Sequence, residues 1–350
     1  MTVATQKIVL NDIERLIELD FVRATESAAL NAYRYFGKGD PLAAHAAAVD
    51  ALRGALDTTS MKGTVVMRDG MNPHDDGFQD NEQLGNSHNE ALAVDLGFVP
   101  IDGVDLVGWG IPGAMCVLVA ASRSDAESNF ARIPCRYMEK MAYGPAVHLD
   151  AGSVHLNASA RDNLEIVALK LGKRIQDLSV VVLERTRHEE LIEKIRQAGA
   201  SVRLITDGDV AACLAPCFPE TGIDVYMGIG GGDEAVMSAA AIKCIGGNIQ
   251  ARVAPVDDEE KQNVINELGE EGLNRIYHAD DLTHGDNVVF CATGISDSNV
   301  LKGIHVNAML ATTYSMVMRS RYRTVRYIKT AHDLTRKKIR LHTANAEVGL

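Results

Sequence analysis

The sequence predicts an α/β fold. Beyond about residue 155, β-branched runs alternate with segments of helical period. One run, Val225 to Ile229, ends in the glycine turn Gly228-Ile229-Gly230-Gly231-Gly232. Another, Val202 to Ile205, ends in the Asp-Gly-Asp turn of Asp207 to Asp209. Loops at strand C-termini are the usual ligand crevice of such a fold.

In chain order, Ile13 to Phe36 reads as a long amphipathic helix, with apolar residues at about every third or fourth position and Gly37 beyond its end. Pro41 to Leu56 is a second helix, Ala-rich and interrupted by His45. Gly63 to Met67 is a short strand that runs into the loop Arg68 to His88. That loop is rich in Asn, Asp and Gly, a composition that suits binding residues on a rigid frame. Ala91 to Phe98 and Ala114 to Ala121 are buried strands. Then follow a helix over Asn163 to Leu171, a strand over Leu178 to Leu183, a helix over His188 to Ala198 and the strand Val202 to Ile205. After the strand Val225 to Ile229 come a helix over Ala235 to Ile245 and a strand over Asn287 to Thr293. The charged stretch Asp257 to Lys261 is a solvated helix start. No internal repeat or low-complexity segment stands out.

With 350 residues, 46% of them hydrophobic and 23% charged, the chain is too apolar for disorder and long enough for one large domain or two packed lobes. A net charge of −12 argues against nucleic acid or an acidic membrane as partner. A few local Arg and Lys can still hold a phosphate at short range. No run of about 18 apolar residues suggests a membrane span, and Met1 to Asn11 lacks the pattern of a signal peptide. The expected compartment is the cytoplasm. Cys116, Cys135, Cys213, Cys217, Cys244 and Cys291 form no disulfide framework and read as buried reduced thiols. Cys213 and Cys217 can share a helix face, but no paired His or second Cys pair supports a zinc site there.

Three turns carry candidate chemistry. The glycine turn before Asp233 and Glu234 lets backbone amides approach a phosphate or sugar hydroxyl, although glycine turns also end many strands. Arg185 and Arg187 follow a strand and can hold one phosphate together, or stand as ordinary surface arginines. Asp207 and Asp209 can accept hydrogen bonds from sugar hydroxyls, or make a simple Asx turn.

Four segments occur in the order and at about the spacing of a known family: Arg136-Tyr137-Met138-Glu139-Lys140, Asp207-Gly208-Asp209-Val210-Ala211-Ala212, Gly228-Ile229-Gly230-Gly231 and Gly285-Asp286-Asn287-Val288-Val289-Phe290. From about Leu19 to about Arg336 the chain resembles the class II fructose-1,6-bisphosphatases. The resemblance implies a layered α/β/α/β/α sandwich, with an N-terminal lobe over 1–155 holding the catalytic centre and a C-terminal lobe over 156–350 holding the sugar-phosphate anchor. It implies that Arg185 and Arg187 bind the distal phosphate, that Asp207, Asp209, Gly230 and Gly231 line the sugar, and that Tyr137 and Lys140 lie near it. It further implies a divalent metal, Mg²⁺ or Mn²⁺, and a homo-oligomer.

The centre departs from the family. Its Gly-Glu-Gly-Glu element reads Arg68-Asp69-Gly70-Met71 here, and its Asp-Pro-x-Glu-Gly-Thr element reads Val99-Pro100-Ile101-Asp102-Gly103-Val104. An early aspartate becomes His45, and Glu234 alone is unchanged. Valine neither ligates a metal nor deprotonates water. The resemblance therefore carries Asp69, Asp102 and His45 over as catalytic positions. Asp69, Asp102, Glu234, His45 and His74 become candidate ligands, and histidine among them favours Fe or Zn. His74, His88 and His45 read equally as surface or packing residues. Arg68 can take over charge neutralisation and bind a phosphate without cleaving it. Three functions fit: an enzyme of altered chemistry or metal use on a phosphorylated sugar, a working sugar-bisphosphate phosphatase, or a non-catalytic phosphosugar-binding or regulatory paralogue.

Overall fold

The computed structural model describes residues 17–68, 77–86, 91–123, 128–148 and 154–350. It begins with two helices, α1 (Glu18–Tyr33) and α2 (Pro41–Leu56). Pro41 opens α2, and the Asp40 side chain accepts the Ala43 N–H at 2.9 Å, which satisfies one donor of the first turn. Small buried residues such as Ala28, Ala29, Ala44 and Ala48 let the pair pack closely and lie on a sheet.

That first sheet starts with β1 (Met61–Met67), β2 (Gln83–Leu84), β3 (Leu92–Asp102), the short helix α3 (Val104–Trp109) and β4 (Met115–Ser122). The chain then enters a second sheet with β5 (Tyr137–Tyr143), α4 (Pro145–His148), α5 (Ala160–Leu171), β6 (Ser179–Leu183), α6 (Glu189–Ala198), β7 (Ser201–Ile205), α7 (Asp209–Leu214), β8 (Val225–Gly231), α8 (Gly232–Ile245), β9 (Asn248–Val253), α9 (Asp258–Gly272), β10 (Tyr277–His278) and α10 (Ala279–Leu282). It returns to the first sheet with β11 (Val288–Gly294), β12 (His305–Asn307), β13 (Leu310–Arg319) and β14 (Thr324–Asp333), and ends in the hairpin β15 (Lys338–Leu341) and β16 (Ala346–Gly349). The first sheet runs β12-β13-β11-β4-β3-β1-β2, with β14 on the other edge of β13, and the second runs β10-β9-β5-β8-β6-β7. Both mix parallel and antiparallel pairs, as in β1 with β3 and β3 with β4.

Three hydrophobic layers hold the sheets apart and cover them. Phe21, Leu52, Leu96 and Leu118 fill the space under α1 and α2. Between the sheets, Met237, Ala240 and Ile242 of α8 pack with Val117 and Met316 from one sheet and Met138 and Tyr226 from the other. A helix between two sheets must be apolar on all sides, which explains the run Ala239-Ala240-Ala241-Ile242. Leu164, Val167, Ile192 and Ile195 of α5 and α6 cover the outer face of the second sheet against Val180, Val182 and Met227. The architecture is the expected α/β/α/β/α sandwich.

Helix α8 starts at Gly232, three residues earlier than its hydrophobic period suggests, because its polar first turn is built from Asp233 and Glu234. The strands from His305 onward carry charges on an exposed edge, such as Arg326 and Lys329 of β14, which blur the alternation that marks a buried strand. All six cysteines are buried and free. Burial pushes Cys217, Cys244 and Cys291 up to about 12, which suits inert thiols. Among the described residues no helix is long and apolar enough to cross a membrane.

Candidate functional site

Strand β5 lies antiparallel to β8, with Tyr137 opposite Gly231 and Lys140 opposite Gly228. Met138 and Ala142 of β5 point into the layer between the sheets, and period-two alternation sends Lys140 to the same side. There it is fully buried and ion-paired with the Asp209 carboxylate, whose other oxygen accepts the Tyr226 hydroxyl at 2.6 Å. Burial works against the Lys140 charge, but Asp209 foremost, with Glu234 adding to it, holds the ammonium above its ordinary pKa.

The glycine turn presses against this pair. A Cβ on Gly230 would overlap the Asp209 carboxylate, and one on Gly231 would overlap the carboxylate of Glu234. Only glycine lets two acidic side chains lie on the backbone here. Glu234 sits in the first turn of α8, whose amide ends favour negative charge.

Arg187 stands at the rim of the same turn. Its guanidinium lies 4.7 Å over the Tyr137 ring and donates to the Ile229 carbonyl at 2.9 Å. It opens on a cavity of about 250 Å³ that also reaches Asn163, Lys194 and Gly228. His188 is buried beneath it. The Ile229 N–H donates to His188 Nε2 at 2.7 Å, so Nδ1 carries the proton and donates to the Leu183 carbonyl, also at 2.7 Å. Burial lowers the His188 pKa, with the neighbouring Arg187 charge adding to it, and the ring stays neutral. His188 thus fixes the end of β6 to the end of β8.

Asp102 closes β3 at the far side of α7. Its carboxyl accepts the Val210 N–H at 3.2 Å and the Ala211 N–H at 2.8 Å. Burial, opposed by the Ala211 amide but reinforced by Asp207 and Asp209, raises its pKa to about 8. Asp207 is partly buried and is raised as well, chiefly by burial.

Residues 15–332 match the family model described as bacterial fructose-1,6-bisphosphatase, glpX-encoded. The chain belongs to this family. It is 36% identical over 334 residues to the "Fructose-1,6-bisphosphatase class 2" of Haemophilus influenzae, covering 92% of this chain and 97% of that one. It is 35% identical over 336 residues to the "Fructose-1,6-bisphosphatase 1 class 2" of Escherichia coli strain K12, covering 93% and 97%.

Within this glpX-type frame the structure gathers Tyr137, Lys140, Arg187, Asp209, Gly230, Gly231 and Glu234 around one turn. The two expected phosphate arginines do not converge. Arg185 donates to the Glu184 carbonyl and opens on a different cavity, with Arg196 and Glu189, while its charge still reaches Asp207. Arg68 is ion-paired with Asp80 at 2.9 Å. His45 is buried on α2. Asp69 and His74 lie outside the described residues. Tyr226 and His188 position the site without having been singled out. Nothing in a β-branched strand marks Tyr226, whereas His188 stands directly after Arg187, where a ring beside an anchor could have been noticed.

A divalent cation needs several oxygen or imidazole donors aimed at one point. Among the described residues no three His, Cys, Asp or Glu side chains converge in that way. Both Asp102 oxygens face backbone donors, and Val99 and Val104 supply none. The described donors do not fit the family-type metal cage.

Proposed function

We propose that this chain binds a phosphorylated sugar at the glycine turn and acts on it with a centre altered from the carboxylate cage that the family resemblance implies. The observation that carries this reading is the engagement of both Asp102 oxygens by the N–H groups of Val210 and Ala211. A side chain spent on closing a helix start is poorly placed to ligate a cation.

Arg187, braced by Tyr137 and the Ile229 carbonyl, holds the terminal phosphate. Lys140 offsets the acidic charge of Asp209 and Glu234 below the turn, and Asp209 keeps it in place with Tyr226 bonded to the same carboxylate. Asp207 and the backbone of Gly230 and Gly231 meet the sugar hydroxyls, and Arg185 adds to the field around Asp207. Membership of the family favours a divalent cation in the reaction; these contacts need none.

A working sugar-bisphosphate phosphatase is the second reading, favoured by identities of 35–36% to proteins named fructose-1,6-bisphosphatase and by the carboxyl groups kept at Asp69 and Asp102. Time-resolved ³¹P NMR with fructose 1,6-bisphosphate in Mg²⁺, Mn²⁺, Fe²⁺ and Zn²⁺ separates the two. Altered chemistry predicts new phosphorylated species without free phosphate. Free phosphate that grows in and is lost in Arg187→Ala contradicts it and establishes the phosphatase. Line broadening without turnover, lost in Arg187→Ala, points to a binding paralogue.

A further inference from the structure

Helix α8 has a second polar end. At its C-terminus a cavity of about 460 Å³ opens between Gly246 to Asn248, β10 and the turn of the β13–β14 hairpin. Its walls carry Lys243, Arg321, Arg323, His148 and His278, faced by Asp280 and Asp286. Lys243 is already engaged, with Asp280 at 2.8 Å and the Thr283 carbonyl at 2.9 Å. Among the described residues Arg321 and Arg323 have no carboxylate partner, although Arg321 lies 5.5 Å over the Tyr322 ring. In a chain of net charge −12, two guanidiniums without an ion-pair partner among the described residues, in one cavity, call for an explanation.

The backbone adds a second, independent observation. Arg323 has a φ of +48°, a left-handed conformation that a hairpin turn normally gives to Gly or Asn. On the opposite wall, a Cβ on Gly246 would lie 2.9 Å from Arg323 Nη1 and 3.0 Å from its Cζ, so the guanidinium occupies the space that a side chain there would fill. Closing the helix does not require Arg323. The N–H groups of Gly246 and Gly247 already bond the Ile242 carbonyl at 3.0 and 3.2 Å. The left-handed turn at Arg323, a conformation shared with Ala308 of the β12–β13 turn, and the bare face of Gly246, the left-handed close of α8, together set the guanidinium against the cavity wall.

We propose that this cavity is an anion site for a phosphoryl group, a phosphate monoester or pyrophosphate, held by Arg321 and Arg323 with His148 and His278 as further donors. The planar fork of each arginine matches two phosphate oxygens. The site is separate from the glycine turn by the length of α8, 14 residues or about 20 Å, and it does not depend on the sugar-phosphate reading.

The test is calorimetric titration with inorganic pyrophosphate in the Arg187→Ala background, which removes the other anchor, combined with hydrogen–deuterium exchange. Arg323→Gly suits the positive φ and should leave the fold intact or raise its Tm. The expected result is that Arg187→Ala/Arg323→Gly binds pyrophosphate at least tenfold more weakly than Arg187→Ala, with exchange protection of residues 319–324 lost. Arg321→Ala should weaken binding in the same direction. Equal affinity with and without Arg323, or protection confined to 185–188 and 228–231, would overturn the proposal.

Discussion

The Ala211 backbone N–H donates to the Asp102 carboxyl at 2.8 Å, tying the last residue of β3 to the first turn of α7 between the sheets. A second bond, from Val210 at 3.2 Å, makes Asp102 the acceptor for two of the four amides that a helix start leaves open. The same turn carries Asp209, which fixes Lys140. A position that the family resemblance assigns to a metal therefore supports the architecture of the phosphate side of the cleft.

Removing that acceptor should destabilise the fold. Asp102→Ala leaves two buried amides unpaired and is expected to cost about 1–3 kcal/mol, measured by urea denaturation in the presence of EDTA. A carboxylate held only for a metal would behave in the opposite way, since its loss in metal-free protein relieves a buried acid. An Asp102→Ala variant as stable as wild type, or more stable, would contradict the capping role.

Separating Lys140 from Asp209 should be worse than removing both. Lys140→Met leaves Asp209 buried beside Tyr226, and Asp209→Asn leaves a buried ammonium; each is expected to cost about 3–5 kcal/mol. The double variant should recover a large part of that loss, so the cycle yields a coupling energy well above the ~1 kcal/mol of an exposed pair. Additive single effects would show that the pair is not the unit described.

Protonation of His188 supplies a pH signature. Its folded pKa lies below the ordinary 6.5, so below about pH 6.5 the unfolded chain binds a proton that the folded chain refuses. Stability contributed by the neutral ring is present above that pH and is lost as pH falls, by at most about 1.4 kcal/mol per unit for one histidine. His148 and His332, also lowered chiefly by burial, act in the same direction. Denaturation at pH 5.0 and 7.5 should therefore show a smaller acid loss for His188→Gln than for wild type. An identical loss would remove His188 from the account.

Much of this arrangement was legible in the sequence. Hydrophobic period and turn residues located α2, β6, α6 and β8 to within two residues, because each is an element with a marked end. The turns at Asp207 and Gly230 were visible for the same reason: glycine and aspartate punctuate a strand whatever the tertiary context. What a single sequence does not encode locally is contact across layers. The Lys140–Asp209 pair joins residues 69 apart, and the Asp102–Ala211 bond joins residues 109 apart. Arg185 and Arg187 look like one clamp at i, i+2, yet the strand end sends their side chains to different cavities.

Calorimetric titration of fructose 1,6-bisphosphate into EDTA-treated protein tests the central claim most directly, with wild type and Arg187→Ala compared side by side. The account predicts saturable binding without added metal, weakened at least tenfold in Arg187→Ala. Binding that appears only after Mg²⁺ or Mn²⁺ is restored, or that is indifferent to Arg187, would contradict it.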